Sequence, residues 1–172
     1  MKYTFFTHHR RQAFSIMETT MATLMVGILL AGSLASFARI RGMQQDMVMM
    51  EQANLLALDL MNEILSFPYS EPGVTTVSTG PEVGESSRSL YDDVDDYNGM
   101  SEASALTRSG TAIPGASQYR RRVAVYFVQP ANPSVISFTN QGSRIVVVLV
   151  DRNGQQVFSL LGYKTQTESQ IP

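Results

Sequence analysis

Cysteine and tryptophan are absent from the 172 residues, and only two histidines occur, His8 and His9. Without cysteine no disulfide can staple the fold, so any globular part must be held by packing alone. Both histidines precede a long apolar run, so everything from Arg10 onward lacks His and Cys together. A Ser-His or Cys-His nucleophile pair, and a zinc site of Cys and His ligands, are excluded from that part. Enzyme chemistry would have to rest on carboxylates or lysine. No such constellation occurs outside one acidic loop, so no enzymatic activity is expected. Net charge is also scarce, at −2, which gives no global attraction to nucleic acid. The length suits one domain plus an extended element rather than two domains.

What the sequence does have is a hydrophobic run. From Phe14 to Ala38 the residues are apolar except for hydroxyls, glycines and one carboxylate, Glu18. At a rise of about 1.5 Å per residue such a run crosses a hydrocarbon core of roughly 30 Å, so residues 14–38 are read as the transmembrane half of a helix. An unpaired charge within a bilayer costs about 3 kcal/mol or more, so Glu18 needs a partner or a reason. A secretory signal peptide would offer Ser33-Leu34-Ala35 as its cleavage site. A plain anchor would use Ser15-Ile16-Met17-Glu18 as a capping box at the positive end of the helix dipole. Neither explains why the helical pattern continues well past Ala38.

Ala13 followed by Phe14, Glu18 at the fifth position after that junction, and the unbroken apolar helix together resemble the class III leader of type IV prepilins and type II secretion pseudopilins. The resemblance covers about the first seventy residues. It implies that residues 1–13 are a cytoplasmic leader, cut between Ala13 and Phe14 by a prepilin peptidase that then methylates the new Phe14 amino terminus. The family pattern has glycine before the cut, where this chain keeps the small residue Ala13. The family's assembly glutamate carries over onto Glu18. Loss of Lys2, Arg10 and Arg11 with the leader takes the side-chain charge from −2 to about −5. Arg39 and Arg41 on the far side nearly balance the positive charges before the run, so orientation rests on the resemblance.

Residues 39–67 form the amphipathic half of the same helix. Ile40, Met43, Met47, Met50, Leu55, Leu58, Met61 and Leu65 recur mostly at spacings of three or four, as one apolar stripe requires. A methionine-rich stripe reads as adaptable packing rather than a cofactor site. Pro68 ends the helix, because it lacks a backbone donor and disfavours helical geometry at Phe67. Gly27, Gly32 and Gly42 are soft points within it, each costing about 1 kcal/mol relative to Ala. The whole would be one helix of about fifty residues, roughly 75 to 80 Å long.

Residues 68–118 lose periodicity and hold most of the acids, with Arg88 almost alone against them. Asp92, Asp93, Asp95, Asp96 and Asn98 offer oxygen ligands of the kind Ca²⁺ takes. The EF-hand spacing fails, since a count from Asp93 puts Asn98 at the glycine position and Ser104 at the position of the bidentate Glu. The favoured alternative is a solvated acidic turn whose side chains cap local backbone donors, anchored by Tyr91 and Tyr97. The string DDVDDYNG after a prepilin-like helix resembles minor pilin-like proteins of the mannose-sensitive haemagglutinin pilus type. That resemblance implies placement in a filament, not a chemistry for the aspartates.

Residues 119–172 read as an antiparallel sheet. Strands are expected at 119–128, 144–150 and 155–164, with a short extra one at 135–139. The 144–150 segment, apolar on both faces, suits a central position, and Asn153-Gly154 marks a tight hairpin. Arg120, Arg121 and Arg122 read as a solvated strand edge facing the acidic loop rather than a surface for anions. The expected architecture is α+β, a long N-terminal helix packed on a small antiparallel sheet in the type IV pilin-like manner. The resemblance implies a minor pilin-like structural subunit of an adhesion-type pilus, resident in the bacterial inner membrane as a single-pass protein with a periplasmic globular domain before it enters the filament. Its partners would be the peptidase, other major and minor pilins and the inner-membrane assembly platform. The alternatives are a minor pseudopilin of a type II secretion system, or a membrane-anchored periplasmic module that uses the acidic loop for Ca²⁺.

Overall fold

A computed structural model describes residues 15–71 and 79–166; Ala13 and Phe14 lie outside the described residues. The chain divides into two units, Met1–Asp46 and Met47–Pro172. Helix α1, Ile16–Ser66, starts in the first and ends in the second. At its start the Ser15 carbonyl accepts Glu18 N at 2.9 Å and Thr19 N at 3.1 Å. The helix continues through Gly27, Gly32 and Gly42 without a break. In the first unit Leu24, Leu29, Leu34 and Phe37 are all exposed, and by length and composition α1 is long and apolar enough to cross a membrane.

In the second unit α1 buries Ala53, Leu56, Ala57, Leu60, Met61 and Ile64, steps of three and one that keep to one face of a 3.6-residue turn. This is not the stripe expected from the sequence. Met61 is common to both and Leu65 packs at the core's margin, but Met50 and Leu55 are each 59 % exposed and Leu58 is also exposed. Hydropathy alone ranks Leu above Ala, whereas the small Ala53 and Ala57 side chains permit close packing of the helix backbone. The helix ends at Ser66 ahead of Phe67-Pro68, as the proline requires. The Pro68 carbonyl then accepts Val94 N at 3.2 Å.

Four antiparallel strands follow: β1 Tyr119–Gln129, β2 Asn132–Ile136, β3 Ser143–Arg152 and β4 Gln155–Thr165, in the order β2-β1-β3-β4. The central position of β3 follows from its apolar run. Val146, Val148 and Val150 are buried toward the helix side of the core, and Ile145, Val147 and Leu149 between them are half-buried. Asn153 and Gly154 take φ of +51° and +80°, the positive pair that a tight hairpin between two twisted strands demands. The extra strand lies at 132–136 rather than 135–139, taking in Pro133. Edge strands tolerate proline because the missing donor faces no neighbour. The fold is α+β, one long helix with a small antiparallel sheet.

Gly162 on β4 lies under α1, where an added Cβ would run into the Met61 thioether and approach Leu65 Cδ1 at 3.4 Å. Gly162→Val is expected to destabilise the second unit by about 1–3 kcal/mol through overpacking. Adding Met61→Ala to that variant should recover part of the loss, which denaturant titration of the double variant would measure.

The arginine triplet does not form a solvated edge, although Arg120 itself is exposed. Over Tyr119–Phe127 β1 pairs with β3 on one side, and residues 99–102 cover the other. Gly99 N donates to Val123 O at 3.1 Å, Val123 N to Met100 O at 3.0 Å and Glu102 N to Arg121 O at 3.0 Å. Arg121 is 0 % exposed.

Candidate functional site

Glu18 sits in the first turn of α1, exposed and with no partner among the described residues. Half of the expected capping box is present, and it differs in detail. Ser15 Oγ accepts Met17 N at 3.3 Å rather than Glu18 N. Hydroxyls along the apolar run are satisfied within the helix itself. Thr19 donates to Ile16 O at 2.9 Å, Thr20 to Met17 O at 2.9 Å and Thr23 to Thr20 O at 2.9 Å. Ser33 donates to Leu29 O at 2.8 Å and Ser36 to Gly32 O at 3.0 Å. Each of these removes a polar group from the list of things a bilayer would penalise. Glu18 is the group left over.

A second polar system lies inside the globular unit. Arg88 grips Glu63 with two bonds, Nε to Oε1 at 2.8 Å and Nη2 to Oε2 at 2.5 Å, and reaches Glu102 Oε1 at 2.5 Å. Arg121 holds the other oxygen of Glu102 at 2.8 Å and donates to the Leu106 carbonyl. Tyr97 donates its hydroxyl to Glu63 Oε1 at 2.6 Å. Charges therefore alternate from Arg121 through Glu102 and Arg88 to Glu63, joining β1, the loop and α1. Its members lie far apart in sequence, so local reading missed it; arginine at the inward-facing position of a strand, Arg121, was the available signal.

Burial alone would raise the Glu63 pKa, but the Arg88 and Tyr97 hydrogen bonds and the Arg88 charge outweigh it and leave it below the ordinary 4.5. For a carboxyl lowered in the folded state, the stabilisation is present above the unfolded pKa and is lost as pH falls through the folded one. Acidification below about pH 4.5 is thus expected to weaken the wild type more steeply than Glu63→Gln, which denaturant titrations at a series of pH values would compare.

The acidic turn is ordered and mostly buried, which corrects the expectation of a solvated one. Residues Asp95–Tyr97 form a 3-10 turn, and Asp93, Asp95, Asp96 and Tyr97 are buried while Asp92 is exposed. Capping is as expected: Asp96 Oδ2 accepts Asp92 N at 2.9 Å and Asp93 N at 3.0 Å, and Asp93 Oδ1 accepts Asp95 N at 2.7 Å. Asn98 Oδ1 accepts Val125 N at 3.0 Å, fixing the turn to β1. Asp95 pairs with the buried Arg144, which donates Nη2 to Oδ2 at 2.8 Å and also donates to the Tyr69 carbonyl. Tyr91 packs edge-on to Tyr97 with ring centroids 5.0 Å apart.

The five oxygen-bearing residues singled out in the sequence are therefore not gathered round one point. Asp93, Asp95 and Asn98 spend their oxygens on backbone donors or on Arg144. Asp96 instead converges with two glutamates from the preceding segment, Glu82 and Glu85, one oxygen of each lying within 4.8 Å of the others. Burial and the neighbouring Asp96 and Glu85 push the Glu82 pKa up to about 7. In the sequence Glu82 and Glu85 count only among the scattered acids of residues 68–118, because they stand seven to ten residues before the aspartate-rich string. Comparison of the chain with protein-family models, with curated proteins and with solved structures finds no match.

Proposed function

We propose that this chain is a minor pilin-like structural subunit of an adhesion-type type IV pilus, resembling the D-type minor pilin of the mannose-sensitive haemagglutinin pilus. The observation that carries the reading is the lone Glu18 carboxylate on an apolar helix whose hydroxyls are already satisfied within that helix. A carboxylate in hydrocarbon draws in a counter-charge, because leaving it unpaired costs about 3 kcal/mol or more. The counter-charge fitting the prepilin-like pattern is the amino terminus of a processed Phe14 on a neighbouring subunit. The helix would anchor the chain in the inner membrane with its globular unit periplasmic until that pairing recruits it into the filament. Gly27 and Gly32 add support, since a Cβ at either would meet nothing within 4 Å in this chain, and small residues let helices from separate chains approach closely.

Filaments sheared from cells and probed for this chain test the reading. Its presence in pili, and loss or thinning of pili on deletion, is the expected result. Deletion that blocks protein secretion and leaves pili untouched would instead identify a pseudopilin. A chain that stays in the membrane fraction and affects neither would be an anchored binding module.

A further inference from the structure

Three carboxylates from two loop segments converge in the globular unit, and none of them belongs to the ion pairs of Arg88. Carboxylate oxygens of Glu82, Glu85 and Asp96 lie within 4.8 Å of one another, too close for three anions without a compensating charge. Their positions are held by the backbone. Glu85 Oε2 accepts Glu82 N at 3.0 Å, and Asp96 Oδ2 accepts Asp92 N and Asp93 N.

Asp96 supplies an independent indication. It is 0 % exposed, and its second oxygen, Oδ1, is buried with no hydrogen-bond donor among the described residues. An unpartnered buried carboxylate oxygen is costly and calls for an explanation. The nearby cation, Arg144, gives its Nη1 and Nη2 to the Tyr69 carbonyl and Asp95; its Nε is also unpartnered and makes no hydrogen bond to Asp96 among the described residues. We propose that Glu82, Glu85 and Asp96 bind one Ca²⁺ ion, with Asp96 Oδ1 as the buried ligand. The two glutamates are half-exposed, leaving a path for the ion and room for waters to complete its shell. An all-oxygen donor set selects a hard cation, and its irregular, partly solvated form suits Ca²⁺ better than Mg²⁺, which demands near-octahedral geometry. Bound there, the ion ties the segment around Glu82 and Glu85 to the 3-10 turn.

Calorimetric titration of the full chain in detergent with CaCl₂ alone tests this, together with thermal melts followed by circular dichroism. One site is expected, with a dissociation constant of about 10⁻⁴ to 10⁻³ M, as in extracellular calcium modules. Ten-fold excess over that constant should raise Tm by about 5 °C. Glu85→Gln should abolish the rise while melting no lower than the wild type without calcium, since it removes repulsion. Asp92→Asn, which alters an exposed acid outside the cluster, should keep the rise. The proposal is overturned by a folded wild type that shows no calcium response, by an equal response in Glu85→Gln, or by an equal response to MgCl₂.

Discussion

Glu18→Ala is expected to insert into membranes as well as the wild type or better, and to be recovered from sheared filaments at about one tenth of the wild-type amount or less. Removing a lone carboxylate from an apolar helix lowers the cost of insertion by about 3 kcal/mol, so lost incorporation in this variant cannot be a failure to reach the membrane. Under the proposed pairing, what the substitution removes is the reason for one helix to seek another. The same 3 kcal/mol is worth roughly two decades in an equilibrium, enough to decide whether a minor subunit enters a filament. Quantitative immunoblotting of membrane and filament fractions would measure both halves of the expectation. Equal incorporation of wild type and variant would rule out pairing at Glu18 as the recruiting contact.

Arg121→Ala is expected to be the most damaging single change in the globular unit. The side chain is 0 % exposed and neutralises Glu102 while satisfying the Leu106 carbonyl. Removing one member of a buried ion pair costs about 3–5 kcal/mol because it strands the other. Arg88 still holds the far oxygen of Glu102, so the loss should fall at the lower end, about 3 kcal/mol. That is a large part of the roughly 5–15 kcal/mol available to a typical domain. Glu102→Ala should cost a comparable amount by stranding the buried Arg121, while Arg88 keeps its two bonds to Glu63. The double variant should cost less than the sum of the two, since neither then leaves a buried charge behind. Denaturant unfolding of the four proteins gives the coupling directly; strict additivity would mean that Arg121 and Glu102 act independently.

The three long strands and their hairpin were legible because each is decided locally, whereas the short edge strand falls at 132–136 rather than 135–139. Alternating β-branched residues, a run apolar on both faces and Asn153-Gly154 need no distant partner to be read. The helix end was legible for the same reason, in Pro68. The packing face of α1 was not, because leucines in the segment 55–60 fall on more than one side of the helix and only the sheet selects among them. The acidic turn reads as solvated for a related reason. Its neutralising partners are remote: Arg144 is 49 residues from Asp95 and Arg121 is 19 from Glu102. Local sequence shows acids without counter-charges and suggests solvent, whereas the folded chain brings the arginines to them. Glu18 stands out in the sequence because its anomaly is local, a carboxylate with only apolar and hydroxyl neighbours.

Mass spectrometry of the amino terminus of the protein recovered from filaments or membranes tests the central claim most directly. A chain beginning at N-methylated Phe14, with Glu18 retained five residues in, is the expected result. A chain beginning after Ala35, which would have discarded Glu18 with the apolar run, or one that keeps Met1, would contradict it.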